Sequence, residues 1–316
     1  MTTTPSAHLD RARSASPRAA TENFKQPLIL GTSPPGGGFI PYGDAVATTI
    51  HEFSPSLTVI PKFTRGSLEN IPLLEDGSIQ LGLVGGEAAF EALTGIGRTP
   101  ASLRVISAMY SSAGMFVVPG RSRANTVSDL IGKPVIFGAP GSSLGVQARY
   151  ILDGMGLDLN RDFEAIFIAR DDEARAMLDN DQAAALWGGG LGWPAFTDLA
   201  QSPGGARFLV PSSEEIEGIV RKHTFLKQME VPANTYHGQS VPIISVGSWS
   251  VILAHADMDE DLAYLLANAL HEGERRMAEL VPSGCETTSL NSLLAIPSPE
   301  YLHAGVVRFL SDIELM

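Results

Sequence analysis

Cysteine is nearly absent: the chain has 316 residues and one cysteine, Cys285. A single thiol excludes an intrachain disulfide and any multi-thiolate zinc cluster. Alone, it is expected to be a part-buried, inert side chain. Positive charge is also scarce, with 22 Lys and Arg against 35 Asp and Glu and a net charge of −13. Nucleic acids and anionic membrane surfaces select basic patches, so no nucleic-acid partner is expected. A small anion stays within reach, because a binding site is local and net charge is not. No run approaches the roughly 18 apolar residues of a membrane-spanning helix. No GxSxG elbow, Walker loop, dinucleotide fingerprint or zinc helix motif occurs. The histidines His8, His51, His223, His237, His255, His271 and His303 show no close metal-ligand pairing. Neither a metal nor a cofactor is expected. Residues 1–26 are rich in Thr, Ser, Ala and Pro, carry Arg11, Arg13, Arg18 and Lys25, and lack the apolar core of a secretory signal. They are expected to form a disordered leader. A chain that naturally starts here would be cytoplasmic.

What the sequence does contain is regular alternation. Hydrophobic residues make up 44% and charged residues 18%, as in an ordinary globular protein long enough for two lobes. Leu28–Gly43, LILGTSPPGGGFIPYG, reads as a short strand, a Gly-rich bend and the start of a helix near Pro41 or Tyr42. Unpaired N–H groups and the positive end of a helix dipole at such a start suit an anion. A tight β-to-α turn that binds nothing has the same pattern. Leu57–Phe63 reads as a second strand, with Pro61 marking an edge or kink. Ser67 is a plausible helix N-cap, with Asn70 as its rival because Pro72 fits a first turn. Ile79–Val84 reads as a third strand, and the next helix covers residues 87–94. Strand–helix alternation predicts a parallel, doubly wound sheet whose ligands sit beyond the C-terminal strand ends. The bends at Gly36–Phe39, Arg65–Ser67 and Gly85–Glu87 all fall there.

The unit then repeats in architecture. Leu103–Pro119 reads as two strand segments meeting at Ser111–Gly114. Pro134–Phe137 is a strand, Gly138–Ser143 a Gly/Ser bend and Gly145–Met155 a helix. Further strands are expected at Phe163–Ile168, Ala183–Trp187, Ala206–Val210 and Ile244–Leu253. One long helix is expected over Asp259–Leu280, a loop-rich stretch over residues 281–300, and a last helix over Tyr301–Leu315. The expected organisation is lobe 1 over residues 27–115, lobe 2 over 116–243, and a return to lobe 1 with C-terminal helices over 244–316.

Six stretches together resemble the TAXI family of solute receptors for TRAP transporters. They are LILGTSPPGGGFIPYG, FTRGSLENIPLLEDGSIQLGLV, SLRVISAMY, VSDLIGKPVIFGAPGSSLGVQARYILDGMGL, DNDQAAALWGGGLGWPAF and YHGQ. The second and fourth are the most specific, and order and spacing hold from Leu28 to Leu280. The resemblance implies a type II periplasmic-binding-protein fold: two doubly wound α/β lobes, two hinge crossings and an interlobe cleft. It also implies capture of a small organic acid, such as a carboxylate, 2-oxo acid or amino acid, in the periplasm for TRAP transporter membrane subunits. The chain departs from the family pattern in three places. It shows no signal segment, it has Phe39-Ile40 where the family has an aromatic pair, and it carries Arg65 inside the Gly-Ser turn.

On this basis the expected ligand contacts are Gly38, Phe39, Arg65, Ser67, Asn70, Glu87, Ser142, Ser143, Trp187 and Trp193. Ser67, Asn70, Ser142 and Ser143 would present polar groups at two facing helix starts, though each is equally accounted for as a cap or turn residue. Gly38 and Phe39 would give backbone donors and an apolar wall. Arg65 would act as a bidentate carboxylate clamp or remain a solvated charge. Trp187 and Trp193 flank GGGLG and serve as core or as cleft wall. Tyr42 is expected in the core. No catalytic residue is required by a receptor. The competing reading is a cytosolic enzyme or sensor for a small carboxylate on the same fold, with Glu87, Arg65 and His237 as its acid–base groups.

Overall fold

The computed structural model describes residues 26–316. The leader expected over residues 1–26 lies outside them, except for Gln26. Lobe 1 begins with β1 (Leu28–Gly31), α1 (Phe39–Phe53), β2 (Val59–Lys62), α2 (Ser67–Glu75), β3 (Leu81–Val84) and α3 (Gly86–Thr94). The long strand β4 (Leu103–Pro119) leads into lobe 2. There follow β5 (Pro134–Ile136), α4 (Leu144–Gly154), α5 (Leu159–Asp162), β6 (Glu164–Ile166), α6 (Asp171–Asp179) and β7 (Ala185–Gly188). Lobe 2 ends with α7 (Pro194–Ala200), β8 (Ala206–Leu209), α8 (Ser213–Lys222) and β9 (Lys227–Val231). The chain returns through β10 (Ile243–His255) to α9 (Glu260–Glu272), α10 (Glu274–Leu280), α11 (Ser289–Leu294) and α12 (Ala304–Asp312).

The strands form one curled sheet in the order β2-β1-β3-β10-β4-β7-β5-β6, with β8 added on β4 and β9 on β10. β1 runs parallel to β2 and β3, and β5 parallel to β6 and β7. β4 and β10 run antiparallel to each other and are the two crossings between the lobes. The 17 residues of β4 span roughly 56 Å at about 3.3 Å per residue, too long for one lobe. Its partner changes within the strand: Gly114 still pairs with β10, whereas Met115 pairs with β7. The expected pair of segments is therefore one strand whose neighbours change between Gly114 and Met115.

Alternation along the strands builds the lobe 2 core on both sheet faces. Phe116, Val135, Phe137 and Trp187 pack on one face with α4 and α8. Met115, Ile136, Leu186 and Phe196 pack on the other with α6 and α7. The lobe 1 core joins β1, β3, β4 and β10 to α1, α9 and α12 through residues such as Leu30, Val46, Leu83, Val105 and Leu266. This is a two-lobed, doubly wound α/β fold of the periplasmic-binding-protein kind.

Several local expectations need correction. The helix expected over Asp259–Leu280 breaks at Gly273, a poor helix former that ends α9 and caps α10. The stretch 281–300 is more ordered than a loop, with α11 and two 3₁₀ turns. It is anchored to β4: Ser111 donates to Glu286, and Thr287 donates to the Met109 carbonyl at 3.0 Å. β9 was not anticipated; it forms by pairing with the first part of β10. Cys285 is exposed rather than part-buried. Tyr42 is fully buried, with its hydroxyl 2.7 Å from the Thr287 hydroxyl.

Candidate functional site

A cavity of about 400 Å³ lies between the lobes. Lobe 1 lines it with Ser33–Pro34, Gly37–Phe39, Gly66–Ser67 and Tyr110. Lobe 2 supplies Gly138–Ala139, Ser142–Leu144, Ile168–Ala169, Asp171 and Gly189–Pro194. Ser112 and Ser250 of the crossing strands and Leu280–Ser283 complete the wall. The volume falls within the range that holds a small metabolite. The lobes touch beside it, where the Leu68 N–H donates to the Gly141 carbonyl at 3.1 Å. A side chain at Gly85 would sit 1.9 Å from the Ser143 hydroxyl oxygen, so only glycine allows this approach.

The start of α2 explains its own residues. Gly66 takes φ 102°, a conformation that glycine adopts freely, and it caps the helix, so Ser67 is the first helical residue rather than the cap. Ser67 lines the cavity but is 1% exposed, and its hydroxyl accepts from the Gly85 N–H at 3.0 Å. Asn70 does not reach the cavity. Its Nδ2 shares its two hydrogens among the carbonyls of Gly31, Thr32 and Leu83 at 3.2, 2.9 and 2.8 Å, tying the ends of β1 and β3 together. Arg65 is also away from the cavity wall, with a 78% exposed side chain 3.3 Å from Glu69.

The start of α4 is built differently. The Ser142 hydroxyl closes the preceding bend by donating to the Ala139 carbonyl at 2.8 Å. Ser143 makes no side-chain cap bond. Among the described residues no carbonyl receives the N–H groups of Leu144, Gly145 or Val146, the orphan donors of a helix start. Below them, Trp187 is fully buried and its Nε1–H donates to the Leu144 carbonyl at 3.1 Å. Trp187 thus supports α4 from the core and does not line the cavity. Trp193, the residue before α7, does line it.

Gly38 and Phe39 begin α1 at the cavity, with Phe39 edge-on to Tyr110 at a centroid distance of 6.5 Å. Tyr110, Ser112, Asp171, Ser250 and Ser283 also line the cavity, and sequence reading singled out none of them. Tyr110 and Ser112 are hidden inside an apolar strand, and Asp171 reads as an ordinary first-turn acid. Burial pushes the Asp171 carboxyl up to about 6, with Asp198 and Asp172 adding to the effect.

Glu87 lies behind the cavity, at the first turn of α3, and is 2% exposed. Gln147 of α4 donates to its carboxylate at 3.2 Å and to the Ser112 carbonyl at 2.8 Å, joining the lobes at the crossing strands. Burial pushes Glu87 up to about 7, while its own N–H, Ser248 and Gln147 pull the other way. His237 is exposed. Glu87, Arg65 and His237 are therefore not brought together, and none of them lines the cavity. Among the described residues no cluster of three or more His, Cys, Asp or Glu could hold a metal, and no helix is long and apolar enough to cross a membrane.

Residues 30–313 match the NMT1-like family. The chain belongs to the NMT1-like family. Solved structures share the fold of this NMT1-like chain at low identity. The alkanesulfonate-binding protein SsuA from Xanthomonas axonopodis pv. citri, bound to MOPS, is 18% identical over 90% of this chain and 83% of its own, with a TM-score of 0.50. The substrate-binding protein of an amino acid ABC transporter is 12% identical over 83% and 98%, with a TM-score of 0.51. A protein from Bordetella bronchiseptica RB50 is 15% identical over 91% and 98%, with a TM-score of 0.58.

Proposed function

We propose that this chain is a solute receptor that captures a small organic acid between its lobes and delivers it to a transporter. The observation that carries this reading is the cavity itself. Both lobes wall it, and the backbone donors at the start of α4 and the hydroxyls of Ser143, Tyr110 and Ser250 have no partner among the described residues. A bound acid would accept hydrogen bonds from these groups at the cavity wall. The expected contacts are Gly38, Phe39, Ser142, Ser143 and Trp193, with Ser67 forming wall while its hydroxyl holds the Gly85 N–H. Closure follows from ligand that bridges the lobes, since only a solute that prefers the closed form shifts the equilibrium. In this reading β4 and β10 serve as hinges, with the lobe boundaries near Met115 and Ile243.

The transporter is a TRAP type in this proposal, on the strength of Phe63–Val84 and Val127–Leu157, and the work is done in the periplasm. The structural relatives that bind sulfonates or serve amino acid uptake fit a receptor for small charged solutes. Calorimetry of the purified protein against a panel of monocarboxylates, dicarboxylates, 2-oxo acids and amino acids tests the reading. Saturable one-to-one binding without turnover is expected. Consumption of an acid, or binding of none, contradicts it.

A further inference from the structure

The charge inventory of the cavity narrows the solute. Among the described residues no Lys, Arg or His lines it, and Asp171 is the one charged side chain. Asp171 makes no salt bridge and its side chain no hydrogen bond among the described residues. The anion-binding elements are neutral instead: the start of α4 with its free N–H groups, and the hydroxyls of Ser143 and Ser250. Ser250 lines the cavity at 4% exposure, and its hydroxyl has no hydrogen-bond partner among the described residues. Between these poles the wall is apolar, from Phe39, Tyr110, Leu144, Ile168, Leu191 and Trp193.

A dicarboxylate fits this arrangement poorly. One carboxylate can sit at the start of α4, but a second meets the Asp171 carboxylate or an apolar wall, with no cation to compensate. A like charge at short range in a poorly solvated site is repulsive. A protonated amine reverses that sign and satisfies an acid that otherwise has no partner.

Resting on the receptor reading above, we infer that the solute is a zwitterion, an amino acid with an apolar or aromatic side chain, and that Asp171 sets this specificity by receiving the solute's ammonium group. The carboxylate lies at the start of α4, and the side chain lies against Phe39 and Trp193. Asp171 belongs to lobe 2, as does α4, so one lobe reads both charges and lobe 1 mainly closes over the side chain.

Calorimetry with leucine, phenylalanine and tryptophan, the 2-oxo acid of each, and succinate and glutarate tests this. In the wild type, each amino acid that binds is expected to bind at least about tenfold more tightly than its 2-oxo acid, the size of one charge-assisted hydrogen bond. The dicarboxylates should be the weakest of the panel. In Asp171→Asn that preference should fall to within about threefold. Asp171→Ser, which retains a helix-start side chain, should behave the same way, and melting curves of both variants verify folding. Tighter binding of a 2-oxo acid or dicarboxylate overturns the inference and leaves the receptor reading standing. So does a preference that survives in both variants. Binding of no acid of any class overturns both.

Discussion

Two helix starts that read alike in sequence have different roles in the structure. TRGSLEN and APGSSLG each place small polar residues where a strand end turns into a helix. At α2 those groups are consumed within the protein. Ser67 holds the Gly85 N–H, Asn70 holds three carbonyls, and the Leu68 N–H crosses to Gly141. At α4 the Ser143 hydroxyl and the first helical N–H groups have no partner among the described residues. The difference separates a start that builds and closes the cleft from one that has donors left for a ligand. Trp187 and Trp193 divide in the same way: one supports α4 from the core, the other lines the cavity.

The division predicts which substitutions cost stability and which cost affinity. Trp187→Ala should be the most damaging, at about 4 kcal/mol by chemical denaturation, because it empties a fully buried site. Trp193→Ala should instead weaken solute binding with a smaller loss of stability. Equal stability losses would blur the distinction. Asn70→Ala should cost about 3 kcal/mol, since three buried carbonyls lose their donor. A melting temperature equal to wild type would show that Asn70 is not the tie between β1 and β3.

Glu87 predicts an effect of pH. Its carboxyl is pushed from 4.5 up to about 7 in the folded chain. Between those values the unfolded chain has released a proton that the folded chain keeps, so stability falls as pH rises from about 4.5 to about 7. The loss is on the order of 3 kcal/mol. Asp171 contributes with the same sign over a narrower window, up to about 6. Glu87→Gln removes the Glu87 part, so its melting temperature should drop less than the wild type's between pH 5 and 8. Parallel pH curves would contradict the assignment.

Ser143→Ala should leave stability nearly unchanged and weaken solute binding about tenfold, the value of a hydrogen bond to a charged group. Arg65→Ala should do least. Its exposed pair with Glu69 is worth well under about 1 kcal/mol, and affinity should hold because Arg65 is away from the cavity wall. A large affinity loss in Arg65→Ala would restore the clamp expected from sequence.

The alternation of short apolar strands with amphipathic helices made the two lobes legible, because burial on a sheet face enforces period two and on a helix a 3.6 period. Gly38, Phe39, Ser67, Ser142, Ser143 and Trp193 were legible as lining residues because they follow strand ends. Asn70, Glu87 and Trp187 lie beside the same strand ends but are turned into the core by hydrogen bonds to distant segments. Such partners, at Gly31, Gln147 and Leu144, cannot be read from local sequence. Tyr110, Ser112 and Ser250 were hidden because β4 and β10 are buried along most of their length, so their few cavity-lining positions carry no local signal. The continuity of β4 was missed for a related reason: the small residues Ser111–Gly114 read as the junction of two segments, but the strand carries on because β10 pairs with it there.

The most direct test is backbone amide NMR during titration with the tightest-binding acid of the calorimetric panel. The amides of Ser143, Leu144, Gly145 and Val146 should show the largest shifts and saturate at the calorimetric affinity, while the Asn70 side-chain amide stays nearly still. Saturating shifts that leave the start of α4 unmoved and cluster elsewhere would contradict the account.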